Sequence, residues 1–193
     1  MATTGAPADR GTQLLDEAIR LAAESGLASV THRSVQAAAG APHGSVTYWF
    51  GNREGLLRAM VDRLVEMCEA RVAPIAEQMA AMYAAGGQPD VDAVAAGVAA
   101  WIDQDRELHL ARLELEVAAI RDPALRDRMR DAAQVFWRMC EPLAAATGSD
   151  DPERDGRAMA AMVDGLLLDR LAHPPQSREL LVAAIRQLLL DRA

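Results

Sequence analysis

Lysine does not occur in this chain of 193 residues; all 20 of its basic side chains are arginine. Chemistry that needs an amine is therefore closed to it. A Walker A loop needs its phosphate lysine, Schiff-base and pyridoxal enzymes need an amine nucleophile, and Ser-x-x-Lys hydrolases need their base. The patterns of metal chemistry are missing too: there is no Glu-x-x-His pair for a di-metal bundle, no Cys-x-x-Cys and no His-Glu-x-x-His. Cysteine is limited to Cys68 and Cys140, far apart in apolar contexts, which reads as two small core residues in a reducing compartment. Aromatics make up 4% of the chain, and period-two alternation of Val, Ile, Thr and Tyr is nearly absent, so helices are favoured over strands. No segment approaches the roughly 18 apolar residues of a spanning helix. The first eight residues have neither the basic start nor the apolar run of a signal peptide. These absences lead to the expectation of a soluble cytoplasmic protein that is not an enzyme, holds no metal or cofactor and meets no membrane.

What is present is an alanine-, leucine- and methionine-rich chain, 51% apolar, with a net charge of −8. That charge argues against a protein that coats nucleic acid nonspecifically. It is unevenly placed. Residues 1–60 hold five arginines and five acids, so the whole surplus lies downstream. Between 29 and 58 stand Arg33, Arg53 and Arg58 against Glu54, with His32 and His43 added. A slightly basic head on an acidic body suits a site-specific DNA binder.

Apolar spacing lays out the helices. Leu14, Leu15, Ala18, Ile19, Leu21 and Ala22 form one face of a helix over about 10–25, capped by Asp9 and stopped at Gly26-Leu27. Thr31 caps a second helix, and Gly40 turns the chain into a third, about 43–49. Asn52 caps a long fourth carrying Leu56, Leu57, Met60, Leu64 and Met67. Pro74 predicts a break or kink and Gly86-Gly87-Gln88-Pro89 a loop. Asp90 opens a helix containing Trp101, and another follows over about 103–121. Asp122-Pro123 starts the next, Thr147–Pro152 ends it, and helices over about 153–172 and, capped by Ser177, 178–191 complete the chain. The reading is all-α with nine or ten helices: a flexible tail at 1–9, a three-helix helix-turn-helix head at 10–54, and a helical ligand-binding and dimerisation domain at 55–193.

The most informative stretch is Gly44-Ser45-Val46-Thr47-Tyr48-Trp49-Phe50-Gly51-Asn52-Arg53-Glu54-Gly55-Leu56. Three of the seven aromatic residues stand side by side at 48–50. Neighbours on a helix differ by about 100°, so three in a row cannot all face one core, and at least one is expected on the surface. Two short helices joined by a glycine turn make a helix-turn-helix, whose second helix enters the DNA major groove. Val46 and Phe50 should anchor that helix. His43, Ser45, Thr47, Tyr48 and Trp49 then fall on outward or flanking arcs, where hydroxyls meet phosphates and Ser45, His43 and Thr47 reach bases. Gly44 allows close backbone approach. Thr31 and Arg33 on one side, and Arg53 at the start of the fourth helix on the other, are candidate phosphate contacts.

These residues carry a resemblance. Ala39-Gly40, then Gly44-Ser45-Val46-Thr47-Tyr48-Trp49-Phe50, then Asn52-Arg53-Glu54-Gly55-Leu56 resemble the head of the TetR/AcrR family of bacterial transcriptional regulators over residues 10–58, about a quarter of the chain. The family pattern is an Ala-Gly turn, Gly-(Ser/Thr)-apolar-Tyr-x-His-Phe and (Ser/Asn)-Lys-Glu-x-Leu. The chain departs from it in four places. Pro42 stands where Ser or Thr usually caps the third helix, Thr47 replaces the phosphate-binding tyrosine, Trp49 replaces a histidine, and Arg53 replaces a lysine. Residues 105–147 are similar to the ligand domains of that family, though less specifically.

The resemblance implies an effector pocket and a homodimer downstream. Candidate pocket residues are Met67, Tyr83, Trp101, His109, Glu114 and Trp137, with Met79, Met82 and Met139 as apolar filling. Glu114 stands between Leu113 and Leu115, which predicts partial burial and a cationic partner, a ligand or Arg112. Methionines at helical spacing are also ordinary core. In the last two helices Met159, Met162, Val163, Leu166, Leu167, Leu181, Ile185 and Leu188 form arcs wider than one neighbour covers, the pattern of a dimer interface, with internal core as the competing reading. The expectation is a regulator, released by an unknown small-molecule effector, that binds a near-palindromic double-stranded operator as a homodimer, in the manner of a repressor. The competing expectation is a helical protein-interaction or small-molecule-binding dimer without DNA binding.

Overall fold

The structure is a computed structural model that describes residues 7–84, 90–146, 148–173 and 178–190, with side chains described over 10–71, 90–145, 148–173 and 178–187. Among the described residues there are nine α-helices and no strand: α1 (Pro7–Ser25), α2 (His32–Ala38), α3 (Ser45–Phe50), α4 (Arg53–Ala84), α5 (Val91–Gln104), α6 (Arg106–Ala119), α7 (Pro123–Ala146), α8 (Pro152–Ala172) and α9 (Arg178–Leu190). A short 3-10 turn, Leu27–Ser29, lies between α1 and α2.

The caps read from the sequence are largely where expected. The Asn52 carboxamide accepts the Gly55 N–H at 2.9 Å, Asp90 accepts that of Ala93 at 3.0 Å, and Asp122 accepts those of Ala124 and Leu125 at 3.0 and 3.1 Å. Each satisfies a main-chain donor that a helix start leaves open. Two boundaries differ. The backbone is already helical at Pro7, so Asp9 lies inside α1 and not at its start; proline is well suited to a first helical position. Pro74 does not end α4, which runs through it to Ala84, because a proline removes one main-chain bond while the ladder on either side persists. The expected tail at 1–6, the loop at 86–89 and the cap at Ser177 lie outside the described residues.

The chain packs as two compact units, one comprising residues up to Met67 with Glu107–Ala132, the other Cys68–Arg106 with Ala133–Ala193. The first unit therefore contains more than the expected head at 10–54: α6 and the first turns of α7 pack with it. Its core holds Leu14, Ala18 and Ala22 of α1, Val35, Val46, Leu56 and Met60, together with Ala111 and Leu115 of α6. Arg63 on α4 donates to Asp16 on α1 at 2.8 Å, and Arg128 on α7 pairs with Asp62 on α4.

In the second unit α5 packs along α9, and α8 along α9. Ala95, Ala99 and Ile102 of α5 join Met159 and Leu167 of α8 and Leu181 and Ile185 of α9 in its core. At Gly156 the α8 backbone comes so close to α7 that an added Cβ would stand 2.9 Å from the Glu141 nitrogen. Neither cysteine is in a disulfide; burial, with Asp164 and Glu141 nearby, pushes the Cys140 thiol up to about 11. A rise of about two units leaves roughly a hundredfold less thiolate at neutral pH. Iodoacetamide at pH 8 should therefore modify Cys140 far more slowly in the native protein than in urea, with mass spectrometry of the tryptic peptides as the measurement. Equal rates would contradict the burial.

Candidate nucleic-acid interface

The turn between α2 and α3 is built from main-chain bonds. Gly40 N–H donates to Ala37 O at 3.2 Å and Ala41 N–H to Gln36 O at 2.8 Å, the paired closure of a Schellman motif. That closure puts Gly40 at φ 56°, where a side chain is disfavoured. The turn delivers the chain to Gly44, which stands at the N-cap of α3 in place of Pro42, and having no side chain it leaves the helix without a side-chain cap of its own. The Gln36 carboxamide, buried in α2, supplies the missing acceptor to the Val46 N–H at 3.3 Å. Gln36 was not singled out in the sequence. A buried amide one turn before a glycine closure, facing a helix that lacks its cap, is the signal that marks it.

Val46 is fully buried and fixes the inner face of α3. One residue of the aromatic triplet stands clear: Tyr48 is 82% exposed. Its ring meets Trp49 edge-on, centroids 5.6 Å apart and planes at 87°. Trp49 is half-buried and lies on α1, where a Cβ at Gly11 would come within 3.2 Å of the indole. Trp49 thus anchors α3 with Val46, and Tyr48 is the outward group. The triplet divides between core and surface, as its spacing requires.

Thr47 and His43 are exposed, and Ser45 is half-buried. The Ser45 hydroxyl donates to Pro42 O at 2.7 Å, which leaves its lone pairs to accept. Thr47 Oγ1 lies 3.2 Å from His32 Nδ1, tying the outer face of α3 to the start of α2. Thr31 caps α2 by accepting the Ser34 N–H at 3.1 Å while Ser34 Oγ accepts the Thr31 N–H at 2.9 Å, a capping box. Arg33 projects from the same helix into solvent. From Ser25 to Arg53 the chain has no acidic residue, so nothing on this stretch repels phosphate.

Arg53 has a structural role beside the phosphate contact expected of it. Its guanidinium turns back into the head, donating to Val30 O and, at 3.0 Å, to Leu27 O. It holds the turn before α2 with two of its five N–H donors, while the residue stays exposed.

The downstream residues separate. Met67, His109 and Glu114 belong to the first unit, Trp101 and Trp137 to the second. His109 is fully buried. Glu114 is exposed, contrary to the partial burial expected, and its carboxylate accepts the Leu27 N–H at 2.8 Å. Arg112, the partner suggested for it, pairs with Glu116 instead at 2.6 Å. Trp137 carries the Arg157 guanidinium over its ring at 4.3 Å. The Tyr83 side chain lies outside those described. Of the residues expected at a dimer interface, Met159, Leu167, Leu181 and Ile185 are closed within their own unit at 0–2% exposure and offer a second molecule no surface. Met162 is exposed, Val163 and Leu166 are half-buried, and the Leu188 side chain is outside those described. Among the described residues no group of His, Cys, Asp or Glu could hold a metal ion, and no helix is long and apolar enough to cross a membrane.

Comparison with known proteins bears on this arrangement. Residues 14–60 match the family described as bacterial regulatory proteins, tetR family, and residues 89–191 match the tetracyclin repressor-like C-terminal domain. No curated protein matches the chain. Among solved structures, a member of the TetR family (SCO1917) from Streptomyces coelicolor A3 is 29% identical, with a TM-score of 0.72, over 93% of this chain and 98% of that one. The multidrug binding protein EbrR complexed with proflavin is 30% identical, with a TM-score of 0.59, over 93% and 99%. A transcriptional regulator from Rhodococcus sp. Rha1 has the same fold, with a TM-score of 0.76 at 22% identity over 93% of each chain. The exposed α3 thus belongs to a recognised DNA-binding head, and with the C-terminal match spanning just over half of its 193 residues the chain belongs to the TetR family of bacterial transcription regulators.

Proposed function

We propose that the protein is a ligand-responsive repressor, acting in the cytoplasm, that binds a near-palindromic operator as a homodimer and is released by a small-molecule effector. The observation that carries this reading is the exposure of Tyr48 on a helix otherwise anchored by Val46 and Trp49, in a stretch without acidic residues. In it, Tyr48 and Thr47 give hydroxyls to phosphates, and Ser45 and His43 face base edges. Thr31 and Arg33 hold the flanking backbone, and Gly44 keeps the approach close. A two-fold dimer sets two such helices about 34 Å apart, one turn of duplex, which is why the operator should be near-palindromic.

Support for an effector comes from EbrR, a multidrug binding protein whose complexes with imidazole, malachite green, proflavin and ethidium are known. Its candidate contacts are taken unit by unit, Met67 and His109 in the first and Trp101 and Trp137 in the second. Linkage makes the coupling reciprocal: an effector that weakens operator binding is itself bound more weakly by the operator complex.

Footprinting upstream of the protein's own gene at low salt should reveal one protected, near-palindromic site, lost on adding the effector. Arg33→Ala should bind that site more weakly and reduce the slope of log K against log salt by about one, because one phosphate contact releases about one counterion. No protection on any duplex at low salt would overturn the reading in favour of a helical interaction dimer.

A further inference from the structure

The turn that joins α1 to α2 is held at both main-chain groups of one residue, Leu27. On one side the Leu27 N–H donates to the Glu114 carboxylate, on α6, at 2.8 Å. On the other the Leu27 carbonyl accepts Arg53 Nη2, from the first residue of α4, at 3.0 Å, and Arg53 Nη1 donates to Val30 O. Ser29 Oγ closes the same turn onto Gly26 O at 2.7 Å and Leu21 O at 3.0 Å, and Ser34 Oγ donates to Ser29 O at 2.6 Å. A Cβ at Gly26 would stand 3.5 Å from Glu114 Oε2, so the carboxylate sits directly against the turn. Four residues past Leu27 stands Thr31, the cap of α2.

Packing and this bond do different work. Ala111 and Leu115 are fully buried and already fix α6 in the first unit. Glu114 is exposed and adds little buried area. What it adds is direction: a charge-assisted acceptor fixes one N–H at one distance. From Thr31 onward, α2 and α3 are joined by the Gly40 closure, the Gln36 to Val46 bond and the His32 to Thr47 contact, which tie the placement of one to that of the other.

We infer that Glu114 is a positioning residue for operator recognition: with Arg53 it clamps the Leu27 backbone, so that α6 sets where the α2–α3 pair sits. The inference rests on the DNA-binding reading above and assigns Glu114 to the head instead of the effector pocket.

The test compares Glu114→Asp, Glu114→Ala and Glu114→Gln in the full chain, on the duplex found by footprinting. Aspartate keeps the charge but withdraws the acceptor by one methylene; glutamine keeps the reach and a carbonyl acceptor. Operator affinity should fall about tenfold in the aspartate and alanine variants and stay within about twofold in the glutamine variant. The salt slope should be unchanged in all three, because no phosphate contact is lost, in contrast to Arg33→Ala. NMR amide exchange at Leu27 should be slow in wild type and the glutamine variant and fast in the aspartate variant. A purely structural role would lower Tm without changing the affinity of the folded fraction. Wild-type affinity in the aspartate variant, or a glutamine variant as weak as aspartate, would overturn the assignment. If the alanine variant does not fold, the aspartate and glutamine pair still decides. Failure of the wild type to bind any duplex would instead overturn the DNA-binding reading itself.

Discussion

Gly55→Ala is expected to lower Tm by roughly 6–12 °C and to abolish operator binding with it, a larger effect than any truncation on the exposed face of α3. A Cβ at Gly55 would lie 2.1 Å from the Phe50 carbonyl oxygen, far inside contact distance. That oxygen is not free to move. It accepts the Asn52 N–H at 2.9 Å across Gly51, whose φ of 73° and ψ of −85° form the rare γ-turn of positive φ. Relieving the clash means opening this turn, and opening it withdraws the Asn52 cap from α4 and carries Arg53 away from the Leu27 and Val30 carbonyls. Overpacking of this kind costs about 3 kcal/mol. Gly97→Ala is the control. Nothing lies within 4 Å of a Cβ there, in the middle of α5, so helix propensity should stabilise that variant by up to about 1 kcal/mol. Thermal unfolding followed by circular dichroism reads both. A Gly55→Ala shift under about 2 °C would mean that the Phe50 carbonyl swings aside freely.

The same residues show how far the sequence could be read. Its legible part is local. Thr31, Asn52, Asp90 and Asp122 announce helix starts because a capping side chain bonds within three residues of itself. Tyr48-Trp49-Phe50 announces a surface because three neighbours cannot share one core. What stays hidden depends on partners distant in the chain. Trp49 is inward only because Gly11 leaves room for its ring on α1. Arg53 faces two carbonyls more than twenty residues upstream, and Glu114 meets an amide 87 residues away. Gln36 shows the intermediate case: its partner, Val46, is ten residues distant, across a turn the sequence did reveal. The division into units has the same cause. Helical periodicity shows that α6 has an apolar face but not that Ala111 and Leu115 join the core shared by α1 and α4, so it does not by itself group α6 with the first unit. On α8 and α9, periodicity likewise gives arcs of apolar residues without saying which part of each arc the chain itself covers.

That last distinction yields the second large effect. Once Met159, Leu167, Leu181 and Ile185 are assigned to the core of their own unit, the apolar surface left on α8 and α9 is a narrower stripe: Ala161, Met162, Gly165 and Leu168 on one helix, Leu180 and Ala183 on the other. Met162, Leu168 and Leu180 are 37%, 52% and 60% exposed, large apolar groups that a soluble monomer seldom leaves together in water. Gly165 in the middle of the α8 stripe, with open space around it, permits a second helix to come close. If the proposed homodimer forms here, the double variant Met162→Glu, Leu180→Glu should separate it. Two-fold symmetry places each carboxylate in the interface twice, and an unpaired ion excluded from water costs several kcal/mol. In the single chain both positions already face solvent, so far-ultraviolet circular dichroism and Tm should change little beyond the loss of association. Sedimentation velocity at micromolar concentration should show monomer, and operator affinity should fall at least about a hundredfold, because one head then binds its half-site without the other held beside it. Alanine at the same two positions should weaken the dimer less than glutamate does, since it removes apolar area without burying charge. A glutamate variant that remains dimeric would move the interface off this stripe. One that becomes monomeric yet binds the operator with full affinity would show that a single head suffices, and the operator would then need no dyad.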